Sequence, residues 1–223
     1  RIMGYNVAID GPAGAGKSTI AKKAAKKLDF IYVDTGAMYR AIALYFIRNG
    51  VAADDEKTIS GKCSDINVSI DYADGVQQVI LNGENVNDYI RTEQVSMMTS
   101  SVSKYPAVRE KPLNLQRQLA TEKNVIMDGR DIGTCVLPDA KTKIFLTASA
   151  RERARRRYKE QVERGIECDI KQIEKDIIAR DEQDMNREIA PLKQAEDAVL
   201  IDSSDMSIEQ VVDAIIDVFE KTK

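Results

Sequence analysis

The stretch Gly11-Pro12-Ala13-Gly14-Ala15-Gly16-Lys17-Ser18 leaves this chain few folds to choose from. It matches the spacing G-x-x-x-x-G-K-S/T, follows the apolar run Val7-Ala8-Ile9 and opens into a helix-forming segment. Glycines let the backbone turn tightly and aim its amides inward, and the following helix adds a field that favours anions. The pattern predicts a strand, a phosphate loop and a helix, with Gly11 through Thr19 cradling the phosphates of a bound nucleotide. In that frame Lys17 reaches the β- and γ-phosphates and is a catalytic candidate, and the Ser18 hydroxyl helps to hold Mg²⁺. The competing reading is a glycine-rich turn with an incidental lysine, and the strand-loop-helix context weighs against it. The loop points to phosphate binding without naming a reaction.

What the chain lacks narrows the chemistry further. It has no histidine, which removes Ser-His-Asp and Cys-His nucleophilic sites and every imidazole metal site. Carboxylates, cations, backbone amides and a bound metal must do the work. Cys63, Cys135 and Cys168 lie far apart with no C-x-x-C pair, and no export signal is recognisable, so a reduced, cytoplasmic location is expected. No apolar run approaches the ~20 residues of a membrane span. A net charge of -3 argues against a general nucleic-acid binder. Arg1-Ile2 ahead of Met3 reads as a cloning remnant, with Met3 the natural start.

Short apolar runs alternate with longer helical patterns, the signature of a parallel sheet covered by helices on both faces. The expected fold is α/β, of the P-loop NTPase type, with five core strands at residues 5–10, 30–34, 124–128, 143–147 and 198–202. A helix should follow most of them. Behind the last, Ser207 and Gln210 form a candidate capping box, and Ile208, Val211, Val212, Ile215, Ile216 and Phe219 recur at helical spacing as core residues. Residues 62–91 break the alternation. There Ile66, Val68 and Ile70 alternate with polar residues and turns fall at Asp74-Gly75 and Asn82-Gly83, which predicts a small inserted antiparallel β unit. Helices should resume near Thr92 and continue, with a break at Pro106, to about Lys123. The core is thus 1–61 and 92–223.

In such folds ligands bind beyond the carboxyl ends of the strands. Asp128 closes the third core strand, where an acid can contact Mg²⁺ through water; Asp10 and Asp34 are its competitors. Such an acid is as often a cap of a helix or turn. Arg180, Asp184 and Arg187, spaced i, i+4, i+7, share a helix face, either as a site or as a solvated salt-bridge ladder. Residues 151–164 hold seven basic side chains against three glutamates. A mobile arginine lid over transferring phosphates, at about 151–168, explains that excess; binding an acidic partner protein is the alternative.

Taken together, Ile9 to Ser18, Asp34-Thr35-Gly36-Ala37-Met38-Tyr39-Arg40, Ile90-Arg91-Thr92-Glu93, Asp128-Gly129-Arg130-Asp131-Ile132-Gly133-Thr134, Arg180-Asp181 and Asn186-Arg187 resemble the bacterial cytidylate kinases, of the nucleoside monophosphate kinase family. The resemblance covers nearly the whole chain. It implies transfer of the γ-phosphoryl group of ATP to CMP, and to dCMP as well, by a monomer that needs Mg²⁺ and no nucleic acid or membrane. It implies that Arg40, Arg130 and Arg187 clamp the acceptor phosphate and that Ser100, Arg109 and Asp131 read the cytosine with Thr35 beside it. Arg180 and Asp184 would hold the sugar, and Arg153, Arg156 and Arg157 would belong to the lid; which lid arginine touches the phosphates stays open. The residues support this independently, because an ionised Asp131 accepts from the 4-amino group of cytosine and repels the carbonyl that uracil carries there. A kinase for UMP, AMP or shikimate is the rival within the class. A GTPase switch should carry an N-K-x-D motif, which is absent, and an ATP-dependent interaction module is the third reading.

Overall fold

The computed structural model describes residues 4–223; Arg1, Ile2 and the expected start at Met3 lie outside the described residues. The chain runs through β1 (Asn6–Asp10), α1 (Lys17–Leu28), β2 (Ile31–Asp34), α2 (Thr35–Arg48) and α3 (Glu56–Lys62), then a single tight turn at Cys63–Asp65. Three short strands follow, β3 (Val68–Ala73), β4 (Val76–Leu81) and β5 (Glu84–Asn85), and then α4 (Glu93–Val102) and α5 (Pro106–Glu122). The rest is β6 (Val125–Gly129), a wide turn at Ile132–Val136, β7 (Thr142–Thr147), α6 (Ala150–Glu163), α7 (Ile170–Asn186), β8 (Val199–Asp202) and α8 (Ile208–Thr222).

The core is a five-stranded parallel sheet in the order β2-β6-β1-β7-β8. Its central strands are apolar on both faces because helices cover both. Val7, Ile9, Ile126, Ile144 and Leu146 point to α1 and α8, where Ile20, Ala24, Val212 and Ile215 meet them. Ala8, Val33, Val125 and Met127 point the other way, onto Met38, Ala120 and Ile132. β3, β4 and β5 form a separate antiparallel sheet, whose Val79 and Leu81 pack with Ile42 and Phe46 of α2 and Val95 of α4. The turns at Asp74-Gly75 and Asn82-Gly83 stand where the pattern put them, each with a left-handed backbone pair.

The differences from the sequence expectations have local causes. Strands occupy only 68–85 of the 62–91 segment, its start being the end of α3 and the tight turn. β6 runs one residue further than expected, so Asp128 is its penultimate residue. Only a single π-helical turn, Ile132–Val136, follows β6, and the carboxylate of Asp10 holds its start by accepting from the Ile132 and Gly133 amides, both at 2.7 Å. Thr92 is the cap of α4 rather than its first residue, accepting from the Val95 amide at 3.2 Å. Among the described residues no helix is long and apolar enough to cross a membrane.

Candidate active site

α1 starts without a side-chain cap, since Gly16 before it holds a left-handed backbone (φ 84°) and leaves the first-turn amides free. Uncapped helix amides are an anion site. Gly11 is required by a close approach: a Cβ there would strike the Leu146 carbonyl of β7. Lys17 lies buried under the loop with its Nζ donating to the Pro12 carbonyl at 2.7 Å. Burial, and then the nearby Arg130 cation, push its pKa down to about 7.

The three acids that end strands have different duties. Asp34 caps α2 through the Ala37 amide (3.0 Å) and pairs with Arg91 (2.6 Å). Asp10, pushed up to about 6 chiefly by burial, holds the turn after β6 and does not line the cleft. Asp128 accepts from Ser18 Oγ at 2.9 Å and from the Tyr32 hydroxyl at 2.8 Å. Burial, and then the charge of Asp34, raise it to about 6.

A cleft of about 860 Å³ opens above these groups, and its walls bring together most of the residues singled out in the sequence. Ala13, Gly14, Gly16, Lys17, Ser18 and Thr19 line it from the loop; Gly11, Pro12 and Ala15 do not. Thr35, Arg40, Ser100, Arg109, Asp128, Arg130, Asp131, Arg153, Arg156, Arg157, Arg180, Asp184 and Arg187 all line it. Asp131 is buried and ion-paired with Arg109, whose guanidinium stacks on the Tyr39 ring 5.5 Å from its centroid. Arg130 Nε bonds Asp184 at 3.1 Å, and Arg187 lies 3.9 Å from Asp184 and 4.0 Å from Asp131. Arg40 donates to Ser96 Oγ at 2.6 Å, Thr35 to the Asp128 carbonyl at 2.7 Å, and the Ser100 carbonyl accepts from Gln183 at 3.4 Å. Arg180 Nε is buried with no hydrogen-bond partner among the described residues.

Arg187 stands just past the end of α7 in extended backbone, so it does not continue the helix face of Arg180 and Asp184. It reaches the site because its Nε donates to the Ala190 carbonyl at 2.7 Å, which turns the chain back. The lid arginines also separate. Arg153 is buried and committed, donating to the carbonyls of Ala13 (3.0 Å) and Ala148 (2.8 Å) and to both oxygens of Asp181. Arg156 bonds the Ser203 carbonyl at 2.7 Å. Arg157 has no hydrogen bond or ion pair to another side chain or backbone group among the described residues.

One end of the cleft was missed by sequence reasoning. Ser203, Met206, Ser207, Ile208 and Val211 line it next to the phosphate loop. Ile208, expected in the core, is 43% exposed there. Helical spacing marks it as apolar-face, and nothing in the spacing says that the first turn of α8 overhangs a cavity. Tyr32, the second partner of Asp128, was missed as well, since it reads as an ordinary strand residue.

Residues 7–221 match the family model described as cytidylate kinase. The cytidylate kinase of Caldicellulosiruptor bescii is 50% identical over 97% of this chain and 96% of its own length, and that of Shouchella clausii 49% identical over 98% and 97%. Among solved structures, an uncharacterised protein from Eubacterium ventriosum shares the fold with a TM-score of 0.51 at 14% identity, covering 97% of this chain and 98% of that one. The chain belongs to the cytidylate kinase family.

Proposed function

We propose that this enzyme transfers the γ-phosphoryl group of ATP to CMP, with dCMP as a second acceptor. The observation that carries this is the buried Arg109–Asp131 pair, walled by arginines, in the same cleft as the Lys17 loop. Asp131 would accept from the 4-amino group of cytosine while Arg109 donates to the ring carbonyl and nitrogen. Uracil would set an oxygen against the Asp131 carboxylate. Arg40, Arg130 and Arg187 would hold the acceptor phosphate, Arg180 and Asp184 its sugar, with Thr35 and Ser100 beside the base. The donor base would lie at the Ser203–Met206–Ile208 end, with its triphosphate on the loop and on Lys17.

In the transfer step an oxygen of the CMP phosphate bonds to the γ-phosphorus while the bond from phosphorus to the β–γ bridging oxygen breaks, leaving CDP and ADP. Positioning and charge neutralisation carry most of such a rate, so no general base is needed. Ser18 Oγ and the Asp128 carboxylate, 2.9 Å apart at the loop, offer the oxygen donors that Mg²⁺ prefers. Bound there with ATP, Mg²⁺ would neutralise phosphate charge. Arg157, uncommitted in the cleft, is the lid arginine best placed to meet the transferring group, whereas Arg153 would brace the lid on the loop. Residues 62–91 and about 151–168 would close over the acceptor and the phosphates and exclude water. All these groups come from one chain, which suits a monomer, and free Cys63, Cys135 and Cys168 suit the cytoplasm.

The test is a coupled ADP-release assay with CMP, dCMP, UMP, AMP and shikimate. CMP should give the highest kcat/KM, and in the Asp131→Asn variant the CMP-over-UMP preference should narrow by about 10-fold or more. ADP release no faster with CMP than with ATP alone refutes the assignment.

A further inference from the structure

β2 is an edge strand, so one side of its backbone has no neighbouring strand. Two side chains of the inserted sheet reach that edge. The Gln77 carboxamide meets both backbone groups of one residue, its Oε1 accepting the Asp34 amide at 2.8 Å and its Nε2 donating to the Asp34 carbonyl at 3.1 Å. The Tyr72 hydroxyl donates to the Tyr32 carbonyl at 3.2 Å. Residues 32 and 34 present their backbone groups to the same side of a strand, and Tyr72 and Gln77 face each other across the β3–β4 ladder near the Asp74-Gly75 turn. The hairpin end therefore lies along β2, with two side chains in the place of a sixth strand.

The grip is braced on both sides. Asn87 Nδ2 donates to the Gln77 carbonyl at 2.9 Å, fixing that residue within its own sheet. Asp34 is also held by Arg91 at the far end of the insert (2.6 Å) and caps α2, the helix that carries Arg40 into the cleft. The next residue, Thr35, is tied to the backbone of Asp128. Water could satisfy an exposed strand edge equally well. A side-chain carboxamide adds something water cannot, a fixed distance between the hairpin and the segment Asp34–Arg40.

We infer that Gln77, with Tyr72 as a second point of attachment, is a positioning residue for the acceptor: it latches the insert to β2 and sets the Asp34–Arg40 segment for binding the acceptor phosphate. This rests on the assignment of the Arg109–Asp131 side of the cleft to CMP. The simpler role would be to shield a strand edge.

Kinetics and amide exchange of the full chain separate the two. In Gln77→Ala the KM for CMP should rise about 5- to 20-fold, the worth of the one or two latch hydrogen bonds to Asp34 when their loss is passed on to acceptor binding. The KM for ATP should stay within about 2-fold, and the Asp34 amide should exchange faster. Gln77→Glu, which still accepts from the Asp34 amide but sets an oxygen against the Asp34 carbonyl, should be no better than Ala. Tyr72→Phe should show a smaller shift in the same direction. An unchanged ratio of the two KM values in Gln77→Ala, with exchange at Asp34 accelerated, overturns the latch and leaves edge shielding. A wild-type enzyme that fails to turn over CMP strikes the functional assignment instead, before any variant is compared.

Discussion

Lys17 shows how burial prepares a single side chain for its ligand. Under the loop its ammonium is out of water and close to Arg130, and these push its pKa from 10.5 down to about 7. A triphosphate against the loop restores the favourable environment for the charged form and returns the pKa toward its ordinary value. Between about pH 7 and 10 the complex therefore holds a proton that the free enzyme lacks, and ATP binding takes one up. At pH 8, calorimetric titration in buffers of different ionisation heat should report uptake close to one proton. At pH 6.5 it should be much smaller, because Lys17 is already largely charged. Asp128 works with the opposite sign. Raised to about 6, it is protonated below that pH and a poorer oxygen donor, so Mg²⁺-dependent ATP binding should weaken as the pH falls through 6. Uptake equal at both pH values would show that Lys17 keeps an ordinary pKa in the free enzyme.

Helices α1 and α8 pack side by side and treat their first turns in opposite ways. α1 leaves its amides bare because the phosphate loop needs them. α8 closes its own with a capping box, the Ser207 hydroxyl accepting from the Gln210 amide (3.2 Å) and the Gln210 side chain accepting from the Ser207 amide (2.8 Å). Ser207→Ala removes half of that exchange and should cost about 1 kcal/mol. In a chain of this size that is a fall in Tm of about 2–4 °C by calorimetry; a shift below about 1 °C would mean that water replaces the cap. This capping box was legible in the residues, as were the five strands and the inserted hairpin, because each rests on neighbours within a few positions. The wide turn after β6 was not, since the Asp10 carboxylate that shapes it lies more than a hundred positions away. The overhang of Ile208 was hidden for a related reason. Apolar spacing tells which face of a helix is apolar, and only packing tells whether the end of that face meets a sheet or a cavity.

Across the molecule, charge is distributed against its average. The chain carries a net charge of -3, yet among the described residues eleven basic and six acidic side chains line the cleft. The cations crowd one another there: burial and neighbouring arginines lower the pKa values of Arg40, Arg180 and Arg187, Arg180 to about 10. Folding thus gathers like charges that the unfolded chain keeps apart, a stability cost accepted for a preorganised anion site. An anion that binds only the folded cleft must relieve it and stabilise the fold by mass action. Sulfate is a minimal probe, with the charge of a phosphate and no base to recognise. At about ten times its dissociation constant it should contribute about 1.4 kcal/mol, or roughly 3–6 °C in Tm, beyond sodium chloride of equal ionic strength. Arg187→Ala removes one of the cations facing the anion and also part of the repulsion. Its sulfate-free Tm should therefore fall less than loss of a largely buried arginine would suggest, while its sulfate gain shrinks by more than half. Equal sulfate gains in both proteins would place the anion elsewhere on the surface and remove the case for a cleft held under charge strain.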